Sequence, residues 1–216
     1  MTYSRDNPSP RFRELLGFYA QMHSEGDLSI DTPAEKMFDG RSLTPHVYRI
    51  RDLLKKFRAR TLLDYGAGKA KHYERTVFTL PDGQRLTGLR KLWKLRQLRL
   101  YDPGYAPLAE YPSGVFDAVV CTDVLEHIPE EDLDWVIGDL FGFTRLMLYA
   151  GVAVYPATKI LPDGTNAHVT VKPAEWWLEK FIKCRATVNP QTEFVLVVER
   201  GHNDNDPQVL STFRHS

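Results

Sequence analysis

A short apolar run ending in a glycine turn, Thr61-Leu62-Leu63-Asp64-Tyr65-Gly66-Ala67-Gly68-Lys69-Ala70-Lys71, constrains this chain more than any other stretch. Continuous apolar residues broken by glycines mark a strand buried on both faces that opens into a tight loop. A strand of that kind needs a layer on each side, and the rest of the sequence supplies the parts. Leu98 to Asp102, Phe116 to Cys121, Arg145 to Val154 and Glu193 to Glu199 read as further strands, with Val209 to Phe213 as a last edge strand. Pro10 to His23, Pro45 to Arg58, Arg85 to Arg96, Glu130 to Phe143 and Lys172 to Lys183 read as helices. In the first of these, Phe12, Leu15, Leu16, Tyr19 and Met22 share one face, and Thr44-Pro45 is a helix start. Such alternation predicts an α/β fold, a doubly wound, mostly parallel sheet with helices on both faces. The expected organisation is an N-terminal helical cap over 1–60, acting as a lid, and a sheet domain over 61–216, together one compact unit.

A chain of 216 residues suits a single domain. Its 28 Lys plus Arg balance 28 Asp plus Glu, so bulk charge names no partner, and nucleic-acid binding would need a local patch. The one candidate patch is Arg85, Arg90, Lys91, Lys94, Arg96 and Arg99, interleaved with Leu and Trp93 and free of acids between Gly83 and Tyr101. It reads first as the solvated face of a helix, and second as a grip on RNA, DNA or a phosphate-bearing substrate. Cys121 and Cys184 are too far apart in sequence for a zinc knuckle. No apolar run approaches the roughly 20 residues that span a bilayer, and Met1 to Pro10 hold no signal-like stretch. A reduced, cytoplasmic protein without membrane insertion is expected. The His202 to Asp206 stretch lacks the rest of a calcium loop and reads as a surface turn.

In parallel α/β sheets ligands sit beyond the carboxyl ends of the strands, so the residues just after each strand carry the functional argument. Asp64 can accept hydrogen bonds from a ligand ammonium or from loop amides, and the glycines after it let a ligand approach the backbone. A dinucleotide fingerprint would put a third glycine where Lys71 stands and an acid about 20 residues on. Only Asp82, inside a Pro-Asp-Gly turn, lies near that place, so the dinucleotide reading fails twice. Asp102, ending Leu-Arg-Leu-Tyr-Asp, can accept from both hydroxyls of a ribose, and Pro103 can lie against an adenine. The plain alternative is an aspartate that starts a turn. Phe116-Asp117-Ala118-Val119-Val120 then leads into Cys121-Thr122-Asp123-Val124-Leu125-Glu126-His127-Ile128-Pro129.

Taken in order, Leu-Leu-Asp-Tyr-Gly-Ala-Gly, Leu-Tyr-Asp-Pro and Phe-Asp-Ala-Val-Val-Cys-Thr-Asp-Val-Leu-Glu-His-Ile-Pro resemble the motif series of class I S-adenosylmethionine-dependent methyltransferases, over roughly Thr61 to Phe181. The resemblance implies a Rossmann-like fold, S-adenosylmethionine as cofactor and S-adenosylhomocysteine as product. It implies that the loop Asp64, Tyr65, Gly66, Ala67 and Gly68 lines the methionine end. Asp102 and Pro103 would hold the nucleoside, and Cys121, Thr122 and Asp123 would flank the adenine and the transfer site. The sequence departs from the pattern in three places. Ala70 replaces the third loop glycine, the first crossover carries an insertion, and the segment from Asp102 to Phe116 is too short for a further helix and strand.

The segment Asn166-Ala167-His168-Val169-Thr170, before Lys172-Pro173-Ala174-Glu175-Trp176, is similar to one in small-molecule methyltransferases. By that similarity His127 and His168 would meet over the transfer site, where either could take the acceptor's proton; the alternative is that both are hydrogen-bonded structural groups. Asp123, Glu126, His127 and His168 also loosely resemble the magnesium ligands of small-RNA 3′-end methyltransferases, which carry Glu where Asp123 stands. Metal-free methyltransferases share Leu-Glu-His-Ile, so no metal is expected. The expected activity is methyl transfer to an O or N nucleophile of a small polar acceptor, one that carries phosphate or sugar among the options. Tyr19, Met22 and His23 are candidate contacts from the lid. The rivals are an RNA or DNA methyltransferase using the basic 85–99 segment, and a non-catalytic binder of S-adenosylmethionine.

Overall fold

The computed structural model describes residues 3–27, 32–79, 82–201 and 206–212. In chain order its strands are β1 (Thr61–Tyr65), β2 (Val77–Thr79), β3 (Arg85–Thr87), β4 (Gln97–Tyr101), β5 (Phe116–Thr122), β6 (Thr144–Ala153), β7 (Glu193–Glu199) and β8 (Gln208–Ser211). The helices are α1 (Pro10–Glu25), α2 (Val47–Lys56), α3 (His72–Arg75), α4 (Leu89–Leu92), α5 (Leu133–Phe143) and α6 (Ala174–Val188). Six strands form one sheet in the order β4-β1-β5-β6-β7-β8. All pairings in it are parallel except β7 with β8.

The strand sequences explain the two layers. Successive side chains point to opposite faces, and here both faces are covered. Leu63, Val119, Cys121, Leu148, Ala150, Leu196 and Val198 pack with Val136, Ile137 and Leu140 of α5 and with Trp177 and Phe181 of α6. Leu62, Ala118, Val120, Met147, Tyr149, Val195 and Val197 pack with Ile50, Leu53 and Leu54 of α2 and with Leu89 and Leu92 of α4. Helices therefore flank a mostly parallel sheet on both faces, as the alternation predicts. The chain moves outward from β1 to β4 and then returns to place β5 on the other side of β1. The strand order reverses between β1 and β5, and a crevice opens there at the carboxyl ends.

Of the two N-terminal helices, only α1 lies at that end. The Ser9 hydroxyl caps it by accepting from the Phe12 amide, and Leu15 and Met22 bury with Met37, Leu161 and Ala167 in a third, smaller core above the sheet. By contrast, α2 belongs to the sheet's own layer. The stretch Arg85 to Arg96 is not one helix. Its start pairs with β2 as an antiparallel hairpin, Gly88 at φ +84 turns the chain, and only the four residues of α4 are α-helical. Leu89, Leu92, Trp93 and Leu95 are buried, so the apolar half of the pattern holds while its period breaks. The hairpin is the insertion in the first crossover, and between β4 and β5 there is room only for a 3-10 turn at Ala106–Leu108. Elsewhere, α6 runs to Val188, past the expected Lys183, and β8 ends at Ser211. Phe213 and 202–205 of the His202 turn lie outside the described residues.

Candidate functional site

Three carboxyl-end loops meet at the crevice: the glycine loop after β1, Asp102 to Tyr105 after β4, and Thr122 to Ile128 after β5. The glycine loop is fixed by β4, since the Gly66 and Ala67 amides donate to the Tyr101 carbonyl at 2.8 and 3.0 Å. Gly66 and Gly68 have φ of +84 and +56, and Ala70 shares the left-handed region at +52. A side chain at Gly68 would collide with the Phe38 carbonyl, and one at Gly66 with Val124. The glycines thus allow close approach of other parts of this chain.

Asp102 acts as a clasp. Its Oδ2 accepts from the Gly68 amide at 2.7 Å, and its Oδ1 accepts from the Gly104 amide at 2.9 Å. Its side chain is only 15% exposed, and burial raises its pKa against the amides that hold it down. Each carboxylate oxygen can accept two bonds, so the clasp leaves capacity for a ligand hydroxyl. Asp64 is buried at the end of β1 and accepts from the Tyr73 hydroxyl at 2.9 Å. Burial drives its carboxyl up to about 7, although that hydrogen bond pulls it down. Thr122 and Ala67 line the same cleft. Tyr65 and Cys121 do not, because both side chains lie in the core on the α5–α6 face. Pro103 is half-buried beside Asp102.

The segment before α2 closes this half. The Lys69 and Lys71 amides donate to the Phe38 and Asp39 carbonyls at 2.6 and 3.2 Å, and the Lys69 ammonium reaches the carbonyls of His23 and Ala34. The cleft between Gly40, Ser42, Leu43, Asp64, Gly66 and Thr122 has a volume of about 10 Å³, room for one water. The His23 ring stacks on Tyr105 at 5.0 Å, leans on Phe38 at 4.7 Å, and brings Nε2 to 3.7 Å from Asp102 Oδ1. Burial and the nearby Lys69 charge lower its pKa to about 4, which keeps it neutral, and its Nδ1 is buried without a hydrogen-bond partner.

The other half is built differently. Asp123 leaves β5 in the left-handed region at φ +59, unusual for a residue with a side chain. Its side chain is 53% exposed, and its Oδ1 lies 3.8 Å from His127 Nε2. His127 Nδ1 lies 2.8 Å from both the Ala167 carbonyl and the Tyr19 hydroxyl. His168 Nδ1 lies 2.6 Å from the Tyr155 carbonyl. A carbonyl only accepts, so each imidazole carries its proton on Nδ1 and its lone pair on Nε2. The two rings stand 4.8 Å apart, nearly perpendicular. Burial depresses the His127 pKa, but Asp123, Glu126 and the Ala167 carbonyl outweigh it and the net direction is up. Glu126 faces inward: its Oε1 accepts from the Ala153 amide at 2.6 Å, its Oε2 is buried and accepts from nothing, and burial followed by Asp123 raises its carboxyl to about 7. The Thr170 amide and hydroxyl bind the carbonyls of Glu126 and Ile128, which fixes the His127 loop against the His168 loop.

Sequence reasoning brought His127, His168, Asp123 and Asp102 to one crevice and named Tyr19 and His23 as contacts. It missed Phe38, Tyr105 and the 38–40 segment, which carry no motif and act by shape and backbone. It also missed His46, whose ring reaches the Tyr149 hydroxyl at 2.8 Å and Glu199 at 3.1 Å beneath Gly151. A wider open groove of about 510 Å³ lies past β6 and β7, bordered by Val154, Lys172, Glu175, Arg200 and Gln208. The basic residues of 85–99 fall on β3, α4, β4 and the turn before β4; Arg99 pairs with Glu110, and Arg90 donates to the Arg96 carbonyl. No protein-family model, curated protein or solved structure matches this chain. No helix among the described residues is long and apolar enough to cross a membrane.

Proposed function

We propose that this protein is an S-adenosylmethionine-dependent methyltransferase acting on an O or N nucleophile of a small polar molecule. The observation that carries the proposal is the meeting of a buried acid at β1 (Asp64), a two-glycine loop, a second acid at β4 (Asp102) and a histidine pair, all at the switch between β1 and β5. In this reading Asp64 faces the cofactor's ammonium, the Asp102 oxygens share their lone pairs with the ribose hydroxyls, and Thr122 borders the donor. The cofactor supplies a methyl group on a sulfonium. The chain's own work is to hold the acceptor in line, exclude water and accept a proton, and positioning alone is worth much of the rate. His127 or His168 takes the acceptor's proton on Nε2, the atom opposite its carbonyl-bound Nδ1.

The one-water cleft sets a condition. Residues 38–40 must lift from the glycine loop and His23 must leave Asp102 before a nucleoside fits, so α1 and this segment serve together as the lid. Calorimetry on the full chain tests the reading. Binding of S-adenosylhomocysteine with micromolar-range affinity and none of NAD is expected, and hydrogen exchange at the Lys69 and Lys71 amides should change on binding. NAD binding without S-adenosylhomocysteine binding would refute the reading.

A further inference from the structure

We infer that Asp123, His127 and His168 form a binding site for one divalent first-row transition-metal ion. Their ligand atoms all lie within 4.8 Å of one another. Bonds of about 2.1 Å place two ligands of a tetrahedral ion about 3.4 Å apart, so the loaded site is a contraction of the one observed. Asp123 is free to make it. Its carboxylate is half exposed and no helix confines it, whereas both rings are held from behind.

Three features separate this cluster from an incidental gathering of polar groups. First, both imidazoles donate Nδ1–H to a backbone carbonyl, Ala167 for one and Tyr155 for the other. That outer bond fixes the ring and directs the Nε2 lone pair inward, which is how metal-binding histidines are oriented. Second, Asp123 leaves β5 at a left-handed φ of +59 and its Oδ1 lies 3.8 Å from His127 Nε2, on the lone-pair side of that ring. Third, Glu126 lies next to His127 with Oε2 fully buried and without a hydrogen bond. A buried acid oxygen is costly, and a cation one residue away offsets it.

The ligand set also selects the ion. Two imidazoles and one carboxylate suit zinc, iron, cobalt or nickel, and manganese less well. Magnesium prefers an oxygen octahedron, and Glu126, the acid that could move the set toward oxygen, is turned to the Ala153 amide. Three protein ligands leave at least one position for water or an acceptor atom. With an ion bound, both Nε2 lone pairs are spent on it and neither imidazole is then the base. If the methyl-transfer reading holds, the open position would hold the acceptor's oxygen and lower the pKa of its hydroxyl, but the ion site stands without that reading.

The test uses the full chain, stripped with a chelator and then titrated with zinc, manganese and magnesium by calorimetry, with the electron paramagnetic resonance of manganese as a second readout. One zinc per chain is expected, bound more tightly than magnesium. Asp123→Asn and His168→Gln should each weaken zinc binding about a hundredfold or more, since each removes one of only three protein ligands. Asp123→Asn changes an exposed group and keeps the fold, so its result stands even if a histidine variant is destabilised. His72→Gln, outside the cluster, should leave zinc affinity unchanged. Zinc binding indifferent to Asp123→Asn and His168→Gln, or magnesium bound as tightly as zinc, would overturn the assignment. S-adenosylhomocysteine binding to the stripped protein is measured separately, so a failure of the cofactor reading is told apart from a failure of this one.

Discussion

On the β1–β4 side of the crevice the polar groups are turned to the chain itself. Asp102 clasps Gly68 and Gly104, Lys69 is tied to His23 and Ala34, and Phe38 rests on the glycine loop. On the β5–β6 side carbonyls hold both histidines by Nδ1, and the Asp123 carboxylate stands half in solvent. Both halves derive from strand-end motifs of the same sheet, yet one is latched and the other is already aligned. A motif residue marks a position in the fold; whether it is ready for chemistry depends on which of its atoms the neighbours occupy.

The largest expected effect separates reactivity from affinity. In the chelator-treated protein, His127→Ala and His168→Ala should lower turnover about a hundredfold for whichever ring is the base, with S-adenosylhomocysteine affinity within about twofold. If His127 is that base, the rate rises with pH through a value above the ordinary histidine range of about 6.5, because its folded pKa is raised. Steady-state rates across pH, with calorimetry, check both; equal losses of rate and affinity would erase the contrast between the halves.

Next, Asp102→Ala removes two hydrogen bonds to a carboxylate and should cost about 3–6 kcal/mol in denaturant unfolding, at about 1.5–3 each, and weaken S-adenosylhomocysteine binding. A loss of ligand affinity with unchanged stability would show that the clasp is not structural. Gly68→Ala is expected to cost about 1–3 kcal/mol, from the left-handed φ and the collision with the Phe38 carbonyl. It should also speed hydrogen exchange at the Lys69 and Lys71 amides, and unchanged exchange would mean that the segment is held elsewhere.

The smallest effect is in pH. His23 has a folded pKa near 4, below its unfolded value of about 6.5. The unfolded chain binds the extra proton between these values, so His23 contributes a loss of stability as pH falls through that window. Asp64 and Glu126, raised to about 7, act in the opposite sense and cost stability as pH rises from about 4 to 7. His23→Phe should flatten the acid side of a melting-temperature profile; an unchanged slope would place the titration elsewhere.

Much of the sheet was legible because its chemistry is local. Leu62-Leu63, Ala118-Val119-Val120 and Phe194 to Val198 alternate between two apolar layers, and such runs have few other ways to fold. The hairpin at Val77–Thr79 and Arg85–Thr87 was not, although Pro81-Asp82-Gly83 is a turn signal. The leucines from Leu86 to Leu95 imitate a helical period, while Gly88 interrupts it. In the site, strand-end acids and the Glu-His pair stand out because few residue types do their chemistry. The closing of the cleft by Phe38 and Asp39 was illegible, since their backbone carbonyls make the contact and any residue carries one.

The seating of residues 38–40 on the glycine loop has a kinetic consequence. A nucleoside-sized ligand cannot meet Asp64 and Asp102 until that segment lifts, so its association rate should stop rising with concentration and level off at the rate of lifting. Stopped-flow traces would then report a number that belongs to the protein alone and is the same for every ligand that uses this cleft. Small ions approaching the exposed Asp123 would show no such plateau.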